Sequence, residues 1–342
     1  MTPILPTTYT TVTLRERPKA DIIPGSTFTT DISNKTPSSD HLRDGQLLLQ
    51  TLYLSLDPAM RGWLNPTRSY IPPVEIGAVM RGASVCRVLA SRSSKFNKGE
   101  LILTNNAGWA EYAVVADKHA EKVQDTGESL QRNAIDSLSV LGLTGLTAYF
   151  GILRVGEVKK GDTVIVSGAA GATGSVVGQI AKLKGAYVIG IAGGKDKCSW
   201  LTSELGFDEA LDYKNGNFEK DFRAATKGRL IDVFFDNVGG EILDLALSRA
   251  APFSRFVICG GISHMRIKMQ GFIVFDFEKE YESARKEMAG WLREGKLKRK
   301  ETIVKGGLKN AEEALVGLYK GSNTGKLLVE VAPIVEDGKA KL

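Results

Sequence analysis

The stretch Val164–Gly185, VIVSGAAGATGSVVGQIAKLKG, decides the fold expected for this chain. A short β-branched run is followed by glycines and then by apolar residues at helical spacing, which predicts a strand, a turn and an amphipathic helix. Gly168, Gly171 and Gly174 would let the backbone approach a pyrophosphate at the start of that helix. Because Ala169 replaces the first glycine of the G-x-G-x-x-G pattern, an ordinary tight turn stays an alternative, but the context favours dinucleotide binding.

The end of the next strand indicates which dinucleotide the chain binds. Tyr187–Ala192 reads as that strand, and an NAD-binding protein usually places a carboxylate after it for the ribose 2′-hydroxyl. Here Gly193–Lys197 (GGKDK) brings glycines and two lysines, and Leu211–Lys214 brings a phenol and a further cation. A lysine ammonium attracts a 2′-phosphate, so the sequence favours NADPH over NADH. The alternative is that Lys195 and Lys197 are the solvated start of a helix.

Length and charge limit the classes of protein to consider. With 342 residues, 43% of them hydrophobic, the chain is long enough for two domains with sizeable cores. Its formal net charge is +6, and its one dense basic run, Lys296–Lys300, contains no aromatic residue. We interpret that run as the solvated end of a helix rather than a nucleic-acid-binding stripe, and expect no nucleic-acid partner.

Cysteines and histidines are few and dispersed. Cys86, Cys198 and Cys259 form no C-x-x-C pair, and no histidine lies at ligand spacing from a cysteine. This pattern argues against a disulfide framework and against zinc, so we expect a reducing compartment and no metal. The N-terminal residues lack an apolar leader, and no run approaches the roughly 18 residues that a membrane span needs. A cytoplasmic protein with no membrane partner is the simplest expectation.

The pattern of the chain changes near residue 130. Before it, Gln46–Leu56, Ala78–Ala90 and Trp109–Val115 read as short strands in a β-rich, barrel-like domain. After it, strands and helices alternate, which predicts a doubly wound parallel sheet. The strands expected there are Thr163–Val166, Tyr187–Ala192, Glu209–Tyr213, Val233–Asp236, Phe256–Cys259 and Ile273–Phe277.

A helix at Glu278–Arg293 and two further strands, Lys300–Val304 and Lys326–Val331, complete the expected order. The predicted domains are therefore residues 1–130 with 299–342, which form the β-rich domain, and residues 131–298, which form the NADP-binding domain. A cleft between two such domains is a natural place for a ligand.

In this arrangement the chain resembles the zinc-independent medium-chain dehydrogenase/reductases, and within them the NADPH-dependent alkenal/enone double-bond reductases that include prostaglandin reductases. The resemblance covers nearly the whole chain. The motifs that carry it are Leu54–Arg61, Met80–Gly82, Leu141–Tyr149, the glycine turn, Phe235–Gly240, Cys259–Ser263, Gly271–Val274 and Asn323–Lys326. The resemblance implies that residues 131–298 form a Rossmann sheet and that residues 1–130 with 299–342 form a GroES-like barrel, the catalytic domain.

The same resemblance implies roles for individual residues toward NADPH. The pyrophosphate would face Ala170, Gly171, Ala172 and Thr173. The 2′-phosphate would be held by Gly193, Lys197 and Tyr213. The nicotinamide side would be lined by Pro58, Asn237, Cys259, Gly260, Ile262, Phe272, Val274 and Asn323, with Met60 near Pro58. For Pro58 and Met60 packing is an equally good explanation, and Asn237–Gly240 also suits a plain strand-ending turn.

The reaction implied is hydride transfer from NADPH to the β-carbon of an α,β-unsaturated aldehyde or ketone, followed by protonation at the α-carbon. The developing enolate needs preoriented hydrogen-bond donors rather than a metal. Two departures from the family pattern concern the proton donor. Ala59 stands where a tyrosine is frequent, and the connection from Ser263 to Gly271 is about fifteen residues shorter than usual, which removes another tyrosine.

Tyr53 and Tyr70 are the substitute catalytic residues that the sequence offers, and each could equally be a core tyrosine with a satisfied hydroxyl. His264 could carry a proton at neutral pH, but a loop histidine without a partner is more often only exposed. A quinone reductase of the same superfamily and a catalytically silent NADPH-binding protein are the alternative functions. A homodimer is expected if the strand Phe272–Phe277 pairs across a two-fold axis, although an interior strand would read the same way.

Overall fold

The computed structural model describes residues 5–67, 71–259 and 268–334, without the side chains of residues 268 and 269. The strands are β1 (Thr8–Leu14), β2 (Phe28–Lys35), β3 (Gln46–Ser55), β4 (Ser84–Ser91), β5 (Leu101–Thr104), β6 (Tyr112–Ala116), β7 (Glu121–Lys122), β8 (Thr163–Val166), β9 (Tyr187–Ala192), β10 (Glu209–Asp212), β11 (Ile231–Asp236), β12 (Ala250–Ile258), β13 (Lys268–Gly271), β14 (Glu301–Val304) and β15 (Lys326–Glu330). The α-helices are α1 (Met60–Trp63), α2 (Leu130–Leu138), α3 (Leu143–Phe150), α4 (Ala172–Leu183), α5 (Lys195–Ser203), α6 (Phe218–Ala225), α7 (Gly240–Leu247), α8 (Tyr281–Arg293) and α9 (Ala311–Tyr319).

The chain divides into two compact units. One contains residues 1–138, 302–323 and 327–342, and the other contains residues 139–301 and 324–326. Helix α2 thus belongs to the first unit, eight residues beyond the boundary expected at residue 130. Three residues of the C-terminal part, 324–326, belong to the second unit.

The second unit is built on a parallel sheet with the strand order β10-β9-β8-β11-β12-β13. Each neighbouring pair in it is parallel, an arrangement in which each strand must be joined to the next by a crossover connection. Numbered from β8, this is the order 3-2-1-4-5-6 of the doubly wound dinucleotide-binding fold. The predicted fold class is confirmed, and the order of the strands reverses between β8 and β11.

Side chains of the central strands alternate between two cores, one on each face of this sheet. Val164 and Val166 pack in one cluster, and Ile165 between them packs in the other. Because both faces are covered, the strand reads as an unbroken apolar run rather than as an alternating one. This burial fixes the end of β8, from which the glycine turn starts.

The first unit contains a mostly antiparallel sheet with the order β14-β15-β3-β4-β5-β7, and β6 also pairs with β3. Strands β1 and β2 form a separate antiparallel pair. The ten-residue strand β3 is central, because it pairs with β15, β4 and β6. Its buried residues Leu47 and Leu49 contribute to one core cluster and Leu52 and Tyr53 to another.

The expectation of a strand at Ile273–Phe277 is wrong. The last strand of the parallel sheet is β13, and Val274–Glu280 forms a 3₁₀ helix. A strand would put Ile273, Phe275 and Phe277 on one face, but the first two are about two-fifths exposed whereas Phe277 stacks on Phe150 with ring centroids 4.6 Å apart. A homodimer built by pairing this segment as a strand therefore loses its structural basis.

The interpretation of Lys296–Lys300 as a helix end is also corrected. Helix α8 ends at Arg293, and Lys296–Lys300 lies beyond it, outside any helix or strand. In the described ranges no single helix is long and apolar enough to cross a bilayer; Leu130–Leu138 and Leu143–Val155 pass that test only as a pair bent by 56°.

Candidate functional site

A glycine turn joins β8 to helix α4 at the edge of the sheet where the strand order reverses. Gly168 adopts a φ of +58°, and its carbonyl accepts a hydrogen bond from the Gly171 N–H at 3.0 Å. Gly171 is the N-cap residue of α4, and no side chain caps this helix. The first backbone amides of the helix therefore face outward without an intrahelical acceptor, which suits an anion.

Gly174 is held too tightly to carry a side chain. A Cβ atom there would lie 2.4 Å from the Gly168 carbonyl oxygen and 2.8 Å from the Ala169 Cα. Both neighbours are backbone atoms, so neither can move aside without opening the turn. The third glycine of the pattern thus lets the helix start close to the strand, as a pyrophosphate-binding turn requires.

The turn after β9 is tied to the end of β10 by one carboxylate. Asp212 Oδ1 accepts the Gly194 N–H at 2.8 Å and the Lys214 N–H at 2.9 Å. Gly194 has a φ of +98° and precedes α5, which also begins without a side-chain cap. The carboxylate near this turn is therefore engaged by two backbone amides, which hold the two loops together.

Two lysines from these loops lie close enough to repel each other. Lys197, in the first turn of α5, is half-buried; burial lowers its pKa, and the positive charge of Lys214 lowers it further. The Tyr213 ring lies against Gly193, where a Cβ atom would come within 2.8 Å of it, and Tyr213 is 46% exposed. A phosphate dianion beside Lys197, Tyr213 and Lys214 would relieve this repulsion.

Strand β11 ends in a rigid polar turn beside the glycine turn. Asp236 is fully buried, and its Oδ1 accepts the Ser167 hydroxyl at 2.8 Å and the amides of Val238 and Gly239 at 3.0 and 2.9 Å. Asn237 donates its N–H to Ser167 Oγ at 2.8 Å and its side-chain amide to the Ser167 carbonyl at 2.7 Å. Asn237 is thus fixed to the end of β8.

The remaining residues expected on the nicotinamide side are spread over several elements. The Cys259 N–H donates to the Asp236 carbonyl at 2.9 Å, which places Cys259 beside that turn. Phe272 packs edge-on against Phe277, and Val274 is buried. Gly260 and Ile262, like His264, lie outside the described residues.

In the first unit, the segment after β3 is held by hydrogen bonds. Ser55 Oγ donates to Asp57 at 2.5 Å, and the guanidinium of Arg61 donates to the carbonyls of Pro18 and Ala20. Tyr319, at the end of α9, donates its hydroxyl to the Pro58 carbonyl at 3.2 Å. These hydrogen bonds hold the segment around Pro58 in place. The phenol of Tyr319 was not among the residues predicted from the sequence, because α9 lies far from Pro58 along the chain. Asn323 is buried in the same unit.

Of the two tyrosines suggested as proton donors, only Tyr53 lies within the described residues. Tyr53 is fully buried, accepts Gln131 Nε2 at 3.0 Å and donates to Glu330 at 3.4 Å. Burial raises its pKa, which favours the interpretation of Tyr53 as a core residue. Tyr70 lies outside the described residues.

Comparisons with known proteins cover both units. Residues 11–123 match the model of the N-terminal domain of oxidoreductase, and residues 172–285 match that of zinc-binding dehydrogenase. The NADPH-dependent curcumin reductase of Escherichia coli is 38% identical over 84% of this chain and 88% of its own length. The NADP(+)-dependent 2-alkenal reductase of Nicotiana tabacum is 37% identical over 84% and 87%. The crystal structure of CurA from Vibrio vulnificus with NADPH has a TM-score of 0.85 at 36% identity, over 95% of this chain and all of that chain.

The chain is a zinc-independent medium-chain dehydrogenase/reductase. The resemblance stated from its motifs is confirmed. Although one matching model is described as zinc-binding, no group of three or more His, Cys, Asp or Glu side chains within the described ranges of this dehydrogenase/reductase could hold a metal ion.

Proposed function

We propose that this dehydrogenase/reductase is an NADPH-dependent enzyme that reduces the C=C bond of α,β-unsaturated aldehydes and ketones. The observation that carries the proposal is the similarity, over 84% of the chain in each case, to a curcumin reductase and a 2-alkenal reductase. Curcumin and the 2-alkenals share a C=C bond conjugated to a carbonyl group. A conjugated alkene of medium size and apolar character is therefore the proposed substrate class.

The proposed cofactor site uses backbone and side-chain groups for different phosphates. Amides in the segment Ala170–Thr173 bind the pyrophosphate at the start of α4. Lys197 and Tyr213 bind the 2′-phosphate beside Gly193, and the nearby charge of Lys214 supports this assignment. NADPH, when bound, supplies the hydride for the reaction.

The family resemblance assigns residues from several segments of the sequence to the nicotinamide side of the proposed site. Asn237 is suited to positioning, because two hydrogen bonds to Ser167 hold its backbone and side chain. The other residues assigned to this side are Pro58, Cys259, Gly260, Ile262, Phe272, Val274 and Asn323. Their task is to orient the reacting carbon and exclude water.

The chain must also stabilise the negative charge that develops on the substrate oxygen and deliver a proton to the α-carbon. Preoriented donors stabilise such an oxyanion. Tyr53 is a poor proton donor because its hydroxyl is buried and bonded on both sides. Tyr70 or a water molecule is the proposed proton source.

The decrease in NADPH absorbance, measured at fixed enzyme concentration with a panel of candidate substrates, tests this function. The substrates are 2-hexenal, 2-nonenal, an aryl-substituted enone and a quinone, and each is also tested with NADH in place of NADPH. Oxidation of NADPH by the enals and the enone supports the proposal. Oxidation by the quinone alone would establish a quinone reductase, and NADPH binding without oxidation would establish a silent binding protein.

Cytoplasmic location and a homodimer remain parts of this proposal. The dimer no longer rests on a strand at Phe272–Phe277, so gel filtration has to decide it. Elution at the size of a monomer would remove the homodimer from the proposal.

A further inference from the structure

The basic run Lys296–Lys300 is attached to helix α4 through Lys298. Leu297 is buried, and Lys298 makes two backbone hydrogen bonds with the buried side chain of Gln179. The Lys298 N–H donates to Gln179 Oε1 at 2.7 Å, and Gln179 Nε2 donates to the Lys298 carbonyl at 3.0 Å. Since Gln179 belongs to α4, this paired contact fixes the run against the helix that starts at the glycine turn.

The backbone of Lys300 is connected to that turn through two neighbouring residues, Gly325 and Lys326. Its carbonyl accepts the Lys326 N–H at 3.0 Å, while the neighbouring Gly325 N–H donates to the Ala170 carbonyl at 2.9 Å. Gly325 also forms a parallel bridge with Gly171. A Cβ atom on Gly325 would lie 1.8 Å from the Lys300 carbonyl oxygen, so only a glycine permits this close stacking.

The side chain of Lys300 extends toward the other phosphate-binding element. Its Nζ lies 5.2 Å from the centre of the Trp200 ring, and Trp200 belongs to α5, the helix that carries Lys197. Lys300 is exposed, and Trp200 is buried. The ammonium therefore rests on an aromatic face of helix α5, in a contact that is weak at an exposed site, while the backbone of Lys300 is linked through Lys326 and Gly325 to the glycine turn.

We infer that Lys300 is a further cofactor-binding residue, whose ammonium leaves the Trp200 ring and contacts a phosphate of the bound dinucleotide. This inference rests on the proposed function. Lysine carries a compact charge on a flexible four-carbon stem, so it can move from the ring to an anion while its backbone stays fixed. A phosphate is also a stronger partner for an ammonium than a ring face.

Three variants separate this role from packing. Lys300→Met keeps the aliphatic stem over Trp200 and removes the charge, whereas Lys300→Arg keeps the charge. Lys296→Met is the matched control, because Lys296 is in the same run but pairs with Glu294 at 2.7 Å, on the exposed surface. Dissociation constants for NADPH and NADH are measured by calorimetry, with thermal unfolding of each variant as a check on the fold.

Lys300→Met is expected to weaken NADPH binding about 5- to 10-fold, with Lys300→Arg and Lys296→Met within about 2-fold of the wild type. Equal weakening for NADH assigns the contact to the pyrophosphate, and weakening for NADPH alone assigns it to the 2′-phosphate. Unchanged binding of both cofactors to Lys300→Met overturns the inference. If the wild type binds neither cofactor, the proposed function itself fails, so the two failures are distinguishable.

Discussion

Two turns of the same parallel sheet offer different chemical groups to a negatively charged ligand. After β8, Gly168–Gly174 presents backbone amides, and its third glycine is enclosed by backbone atoms. After β9, Lys197 lies near Tyr213 and Lys214 of the loop after β10, and the neighbour of Gly193 is the half-exposed Tyr213 ring. In the proposed site the first turn is rigid and binds either dinucleotide, whereas the second is adaptable and would distinguish NADPH from NADH.

The largest effect is expected from Gly174→Ala. Its methyl group would overlap the Gly168 carbonyl, so the turn must open. The backbone amides at the start of α4 would then no longer point at the pyrophosphate. We expect a loss of about 1–3 kcal/mol in the free energy of unfolding. Binding of NADPH and of NADH should both weaken by about 100-fold, as lost amide contacts of about 1 kcal/mol each imply. Denaturant unfolding and calorimetry measure the two quantities, and a selective loss of NADPH alone would contradict the comparison.

Lys197→Ala is expected to act on one cofactor only. Removal of a charged contact to the 2′-phosphate costs about 1.5–3 kcal/mol, so the KM for NADPH should rise about 10- to 100-fold. The KM for NADH should stay within about 2-fold. Steady-state kinetics with a conjugated enal measure both values. An unchanged KM for NADPH would remove the 2′-phosphate from this turn.

Gly193→Ala repeats the first substitution in the second turn and should cost far less. The new methyl group meets the Tyr213 ring, which is 46% exposed and can rotate outward. We expect the affinity for NADPH to fall about 3-fold, with unfolding free energy changed by less than about 0.5 kcal/mol. Calorimetry beside Gly174→Ala gives the comparison directly. Equal losses in the two variants would show that the turns are equally rigid.

The smallest expected effect is a shift of a pH profile in Lys214→Ala. The pKa of Lys197 is lowered by burial and by Lys214, and binding of the 2′-phosphate requires the charged form. Affinity for NADPH is therefore complete below that lowered pKa and is lost as the pH rises through it. Without Lys214 the loss should move to higher pH. Titrations from about pH 7 to about pH 10.5 measure it, with NADH as the control. A loss that stays in place would exclude the coupling of the two lysines.

The parallel sheet was predictable because both of its faces are buried, so that its central strands appear in the sequence as apolar runs. Thr163–Val166 and Tyr187–Ala192 have the bounds expected of them. The polar strand Phe28–Lys35 gave no such signal, since its residues are mostly exposed. The segment Ile273–Phe277 gave a false signal, because its short apolar run is typical of a buried strand, whereas Val274–Glu280 forms a 3₁₀ helix.

The candidate site was predictable where one local segment builds it. The glycine turn and the lysines near β9 could be read from consecutive residues. Tyr319 and Lys300 could not, because each contacts its partner across a long stretch of sequence: Tyr319 reaches Pro58, and Lys300 reaches Trp200. Contacts of that kind depend on tertiary packing, which no short pattern records.

The bond from Gly325 to Ala170 has a consequence for biosynthesis. About 150 residues separate Gly325 from the glycine turn, which at about 5–20 residues per second is about 8–30 s of translation. The turn emerges from the ribosome first, and the Ala170 carbonyl gains this partner only after Gly325 has been added. A product that stops before Gly325 lacks this hydrogen bond and the bridge to Gly171, so the glycine turn folds without these two contacts until Gly325 is present.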